Sequence, residues 1–162
     1  MTATLRIGVV EIFKSEYLRT PNATDIASLL RVAESRGFPG MLGSLDSMHW
    51  QLDKCPTAYH SIYTGHVEKP TIILKTVASY NLWIWHAFFG MRGSHNDINV
   101  LDQSNLFDEL RAGCAPPAYF IINGRQYDMG YYLADGIYPK WATIVQTIRE
   151  PNGRKKAHFA RM

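Results

Sequence analysis

The 162-residue sequence lacks the features that mark several classes of protein. It has no apolar run near the roughly 18 residues that a membrane-spanning helix requires, and its N-terminus lacks the apolar core of a secretion signal. Its two cysteines, Cys55 and Cys114, lie far apart and form no ligand-like pair. We therefore expect neither a membrane protein nor a secreted disulfide scaffold, and we expect both thiols to be reduced inside a cell.

The composition is that of one globular domain, with 46% hydrophobic and 19% charged residues. The net charge of +3 is concentrated at one end of the chain. Residues 41–148 carry seven basic and nine acidic residues, whereas residues 149–162 carry five basic residues and one acidic residue. A solvated face is the favoured interpretation of this basic tail, and contact with phosphates is the alternative.

Hydrophobic periodicity predicts a helical preface over residues 1–40. Apolar residues at helical spacing between Leu5 and Tyr17 indicate a first helix. A second helix can begin at Asn22 or Thr24, since either side chain can cap it.

From Met41 the pattern becomes that of a mixed α/β domain. Residues 51–70 are predicted to be mainly a connecting segment, and Gly90 to Gly93 a turn. The predicted elements are a strand at 41–45, a hairpin of strands at 71–80 and 82–89, a helix from Asp97 through Leu110 that stops at Gly113, short strands at 119–123 and 126–129, a buried strand at 131–134 and a final helix at about 138–147.

Two aspartates follow predicted apolar strands, Asp46 after the first and Asp135 after the strand at 131–134. If those strands lie side by side, both carboxylates can reach one hard cation such as Mg²⁺, which needs few protein oxygens. The alternative is that both are turn residues, because Asp-Gly is a common turn dipeptide. Spacing alone favours the turn interpretation.

Other chemical patterns are absent or weak. The polar run 93–97 is more typical of a helix N-cap, at Ser94 or Asn96, than of a site. Neither a Gly-x-Ser-x-Gly motif nor a phosphate-binding glycine loop is present. The aromatic stretch 83–89 predicts a core strand rather than a base-stacking surface. A zinc site is rejected because its candidate ligands match no zinc-finger spacing; they are His49, Cys55, His60 and His66.

Several blocks of the sequence form a recognisable set that extends over nearly the whole chain. The first, GSLDSMHW at 43–50, contains Asp46, and the block YYLADGIYPKW at 131–141 contains Asp135. The remaining blocks are 35–40, 70–74, 78–80, 82–90 and 93–101. Together these blocks resemble plant PIF/Harbinger-type transposases. The resemblance implies a partial RNase H-like nuclease domain of the acidic-triad type over 41–162, preceded by the two helices of residues 1–40.

In that fold three antiparallel strands precede a helix, and a fourth strand lies beside the first. The resemblance implies that Asp46 and Asp135 are the first two catalytic acids and bind two Mg²⁺ or Mn²⁺ ions. Asp97 is a competing or auxiliary acid that the fold places at a helix start, away from the metals. His49 either orients a ligand, contacts phosphate or is structural. The implied reaction is hydrolysis and strand transfer of DNA phosphodiesters at transposon ends.

The sequence also departs from the family pattern. The third acid of the family is a glutamate in a helix, and no glutamate follows Glu150. We therefore expect a domain that is incomplete at its C-terminus and inactive as this chain. Ser47 stands where relatives commonly have cysteine or glycine, a difference that we expect to be neutral.

Three interpretations stay open at this point: a transposase-type nuclease domain, a domesticated module that binds DNA or protein without catalysis, and a non-functional remnant. The resemblance implies DNA and a Myb-like DNA-binding protein as partners, no membrane, and a nuclear location with the cytoplasm as a second one. It implies nothing about the oligomeric state.

Overall fold

The computed structural model describes residues 12, 16, 17, 19–108, 112 and 117–161. The first predicted helix, between Leu5 and Tyr17, lies largely outside the described residues, as do Leu110 and Gly113. The strands are β1 (Met41–Gln51), β2 (Thr71–Ala78), β3 (Ile84–Arg92), β4 (Phe120–Ile122), β5 (Arg125–Tyr127), β6 (Tyr131–Ala134) and β7 (Ile144–Gln146). The helices are α1 (Ala23–Ser35), α2 (Thr57–Tyr63), α3 (Asp97–Gln103), a short 3-10 helix (Asn105–Phe107) and α4 (Arg154–Arg161).

Five of the strands form one mixed sheet in the order β3-β2-β1-β6-β7. The pairs β1–β2 and β2–β3 are antiparallel, whereas β1–β6 and β6–β7 are parallel. Strands β4 and β5 form a separate hairpin. The predicted mixed α/β class is confirmed, and so is the placement of a later strand beside the first.

Strand β1 is longer than predicted, and Asp46 lies within it rather than at its end. The prediction was wrong because β1 changes from an apolar run to an alternating pattern. Its register with β2 continues to the Gln51–Thr71 pair, and Asp46, Met48 and Trp50 are exposed along one side. A strand with one solvated face shows this two-residue period.

The other side of the sheet carries the core. In β2, Ile73, Lys75 and Val77 are all buried at two-residue spacing. The principal hydrophobic cluster joins the sheet to α3, the 3-10 helix and the segment after β6, through Leu45, Val77, Leu101, Phe107, Ala134, Tyr138 and Ile144. Each fully buried aliphatic or aromatic side chain stabilises the fold by about 1.5–3 kcal/mol. Helix α3, which begins at Asp97, and the 3-10 helix are thereby held against the sheet.

Each of the two helices begins at one of its two predicted cap residues, Asn22 rather than Thr24 for α1 and Asn96 rather than Ser94 for α3. Asn22 begins α1 with a reciprocal capping box, in which each of the Asn22 and Asp25 side chains accepts a hydrogen bond from the other residue's backbone N–H, at 3.0 and 2.9 Å. Asn96 caps α3 by accepting from the Asn99 N–H at 2.8 Å. Helix α3 ends at Gln103, earlier than predicted, because the Ser104 backbone is extended. The buried Ser104 hydroxyl donates to the Leu101 carbonyl at 2.9 Å.

Two other predictions were wrong, and two segments contain helices that were not predicted. The predicted helix at 138–147 contains strand β7, in which β-branched Ile144 and Val145 pair with β6. The segment 51–70 contains helix α2, and β3 continues through Gly90 to Arg92 before the chain turns. The basic tail contains helix α4. Within the described ranges, no helix is long and apolar enough to cross a membrane.

Candidate functional site

The parallel pairing of β1 with β6 brings the segments that carry Asp46 and Asp135 side by side. Ser44 of β1 is in register with Leu133 of β6. Asp46 and Asp135 each follow two residues later, and both side chains are exposed. Asp46 continues β1, and Asp135 directly follows the last residue of β6. Because the two strands are parallel, they carry both segments toward the same edge of the sheet.

Each of these carboxylates accepts a local backbone hydrogen bond. Asp46 Oδ1 accepts from the Ser47 N–H at 2.8 Å, and Asp135 Oδ1 accepts from the Ile137 N–H at 3.0 Å. The second bond belongs to the turn that begins at Asp135-Gly136, so the turn interpretation and the site interpretation are compatible. These bonds orient the carboxylates while solvent still reaches them.

Asp97 lies in the same electrostatic neighbourhood. It is the first residue of α3 and is half-buried. Burial raises the pKa of Asp97, and repulsion from Asp135 and, more weakly, Asp46 adds to the rise, while His49 and His66 oppose it. Asp97 is therefore a helix-start residue, as expected, but it is near the other two carboxylates.

His49 lies on β1 and forms part of the same region. Its Nδ1 is 2.9 Å from the Thr71 hydroxyl, and its ring meets His66 edge-on with 4.5 Å between the ring centroids. Burial and the neighbouring His66 lower the pKa of His49, whereas Asp97 raises it. Sequence reasoning considered His66 only for zinc and missed this contact, because it depends on how the loop after α2 packs.

Tyr138 is a second residue that sequence reasoning missed. It follows the Asp135 turn and is only 2% exposed. Its hydroxyl lies 2.9 Å from the Ser47 hydroxyl. Burial raises the pKa of Tyr138 to about 12; the Ser47 hydrogen bond opposes this rise, and the negative charges of Asp97, Asp135 and Asp46 add to it. The phenol is therefore a neutral hydrogen-bonding group at physiological pH.

Lys75 is buried in β2 beneath Tyr138, with 0% exposure. Its ammonium donates to the Ser104 hydroxyl at 3.2 Å and lies 5.8 Å from the centroid of the Tyr138 ring. Burial lowers the pKa of Lys75 to about 7, and the charges of Asp97 and Asp102 partly offset that effect. A lysine in the inward register of an otherwise apolar strand was the available signal for this residue.

The residues fit a hard cation by their chemistry. Asp46 and Asp135 offer exposed carboxylate oxygens, which Mg²⁺ and Mn²⁺ prefer as ligands. Among the residues that the structure describes, no group of three His, Cys, Asp or Glu side chains has metal-binding geometry. The region thus contains the components of an acidic site, two of them accessible to solvent and one half-buried.

Comparison with known proteins identifies one family. A protein-family model described as plant transposon protein matches residues 15–162. No curated protein and no solved structure matches the chain.

Proposed function

The chain belongs to the plant transposon protein family, and from that premise we propose that it carries the nuclease site of a PIF/Harbinger-type transposase. In this proposal residues 41–162 form an RNase H-like domain and residues 1–40 a helical preface. The strand order supports it, because three consecutive antiparallel strands precede α3 and a later parallel strand lies beside β1.

The observation that carries the proposal is the side-by-side placement of the two segments that bear Asp46 and Asp135. In the proposed site these two carboxylates bind Mg²⁺ or Mn²⁺ and orient it toward a DNA phosphodiester. When bound, the metal supplies activation of the attacking water or 3′-hydroxyl and stabilisation of the leaving oxygen. The local backbone hydrogen bonds preset the carboxylates for this role.

Asp97 and His49 serve as auxiliary groups in this proposal. Asp97 contributes a third negative charge whose pKa is raised by burial and by Asp135, so a bound cation would favour its ionised form. His49 is fixed by Thr71 and lies within the electrostatic reach of Asp97. It can therefore orient that carboxylate or contact a phosphate.

The proposed substrate is DNA at transposon ends, and the proposed location is the nucleus. Helix α4 presents Arg154, Lys155, Lys156 and Arg161 on the surface, and such a basic helix can contact DNA phosphates. A Myb-like DNA-binding protein is the proposed partner.

Calorimetric titration with Mn²⁺ tests the proposal directly. We expect Asp46→Asn and Asp135→Asn each to weaken Mn²⁺ binding by at least tenfold, because each removes an anionic ligand. Asp128→Asn is the matched control, since Asp128 is an exposed aspartate outside the site. Metal binding is measured rather than DNA cleavage, because cleavage by a site of the acidic-triad type requires three acids. Binding tests the two exposed aspartates by themselves. Equal affinities in the wild type and both site variants would reject the proposal.

A second candidate function is a non-catalytic module that binds another protein. The solvated side of the sheet exposes Met48, Trp50 and Phe89, and Met48 is joined to Phe89 through the Leu74 register position. Contiguous exposed apolar surface is typical of interaction sites. This function predicts no aspartate-dependent Mn²⁺ binding, so the same titration separates the two candidates.

A further inference from the structure

A pair of hydroxyl groups joins the two segments that carry the exposed aspartates. Ser47 directly follows Asp46 on β1, and Tyr138 follows Asp135 by three residues. Their hydroxyl oxygens are 2.9 Å apart, and either one can donate the hydrogen bond. This contact connects strand β1 to the turn after β6, through two residues that are 91 positions apart in the chain.

Tyr138 is held from several directions, so the contact is rigid on that side. Its backbone carbonyl accepts a hydrogen bond from the Gln146 side chain on β7. Its ring belongs to the core cluster with Leu45 and Ala134, and it faces the ammonium of Lys75. A side chain with this packing cannot move without disturbing the core.

The same contact is linked to the orientation of both carboxylates. The Ser47 N–H donates to Asp46, so the residue that bonds Tyr138 also orients the first carboxylate. The Ile137 N–H donates to Asp135, and Ile137 directly precedes Tyr138. Each of the two hydroxyl groups therefore belongs to a residue whose own amide, or whose neighbour's amide, holds one of the carboxylates.

We propose that the Ser47–Tyr138 hydrogen bond is a positioning contact that sets the spacing and orientation of the Asp46 and Asp135 carboxylates. The proposal deepens the function proposed above and rests on it for the metal that the carboxylates bind. It assigns a role to Ser47, which from the sequence was expected to be neutral. The competing explanation is that the bond only satisfies a buried tyrosine hydroxyl.

Amide hydrogen exchange measured by NMR tests the positioning role without any metal. Tyr138→Phe keeps the ring over Lys75 and removes only the hydroxyl. We expect the Ser47 and Ile137 amides to exchange about tenfold faster in this variant, with the amides of the other β1–β2 residue pairs unchanged. Tyr119→Phe is the matched control, because Tyr119 is 62% exposed. Unchanged exchange at both amides, or uniform acceleration throughout the sheet, would overturn the proposal.

Mn²⁺ titration of the same protein tests the consequence for the site. We expect Tyr138→Phe and Ser47→Ala each to weaken Mn²⁺ binding by about tenfold, as loss of an outer-shell partner does. The double variant should be no weaker than either single variant, because both remove one shared contact. Aspartate-dependent binding that is unchanged in both variants would refute positioning. Wild-type binding that is independent of Asp46 and Asp135 would instead refute the proposed function. In that case amide exchange alone would decide whether the Ser47–Tyr138 contact positions the two carboxylates.

Discussion

Replacing Lys75 with methionine should reveal the cost of burying an amine in the sheet. Lys75 is fully buried, and its ammonium donates to the Ser104 hydroxyl. Methionine matches the length of the lysine stem and carries no charge. Ser104 keeps a hydrogen bond in the variant, because its hydroxyl donates to the Leu101 carbonyl. The substitution therefore removes a buried charge without leaving that hydroxyl unpaired.

The size of the effect follows from the two pKa values of Lys75. Burial lowers the folded-state pKa to about 7 from the ordinary value of 10.5. Between these values the unfolded chain binds more protons than the folded protein, so wild-type stability rises with pH. Because one pKa unit is worth about 1.4 kcal/mol, wild type should gain about 2 kcal/mol relative to Lys75→Met between pH 7 and pH 9. Below about pH 6 both states are protonated, and the difference should level off.

Urea unfolding followed by circular dichroism at pH 5, 6, 7, 8 and 9 would measure this difference. We expect Lys75→Met to be more stable than wild type at pH 6, with an advantage that shrinks as pH rises. Lys156→Met is the matched control, because Lys156 is exposed on α4. A difference between Lys75→Met and wild type that stays constant from pH 6 to pH 9 would show that the folded-state pKa of Lys75 is not lowered.

Other regions of the structure lead to three further predictions. Asn22→Ala should lower the free energy of unfolding by about 1 kcal/mol, because α1 loses its cap; unchanged urea unfolding would contradict this. Gly93→Ala should destabilise by about 1–3 kcal/mol, since a Cβ there would collide with the Thr71 hydroxyl. In thermal unfolding Gly93→Ala should therefore cost less in a Thr71→Ala background than in wild type, and an equal cost in both backgrounds would argue against that collision. If α4 contacts DNA, replacing Lys155 and Lys156 by glutamine should reduce the slope of log K against log salt by about 2; an unchanged slope would exclude both contacts.

Local sequence signals were sufficient to predict the elements whose ends are fixed by nearby residues. The caps at Asn22 and Asn96 act over three residues, so both helix starts could be predicted. The hairpin of β2 and β3 likewise shows β-branched and aromatic runs separated by a short turn. Strand β7 was mistaken for a helix, because Ile144–Gln146 becomes a strand by pairing with β6. A three-residue strand carries too little local pattern to indicate such a partner.

The same distinction applies to the candidate site, where the residues could be selected from the sequence but their proximity could not. Asp46, Asp97, Asp135 and His49 could be selected from the sequence by residue type and by resemblance. These residues come near one another because β1 pairs in parallel with β6 and because α3 covers one face of the sheet. The same packing buries Lys75 beneath them. Sequence spacing cannot specify either, because register and layer packing arise between segments far apart in the chain. The sequence alone therefore selected the candidate acids, whereas packing between distant segments decided which groups surround them.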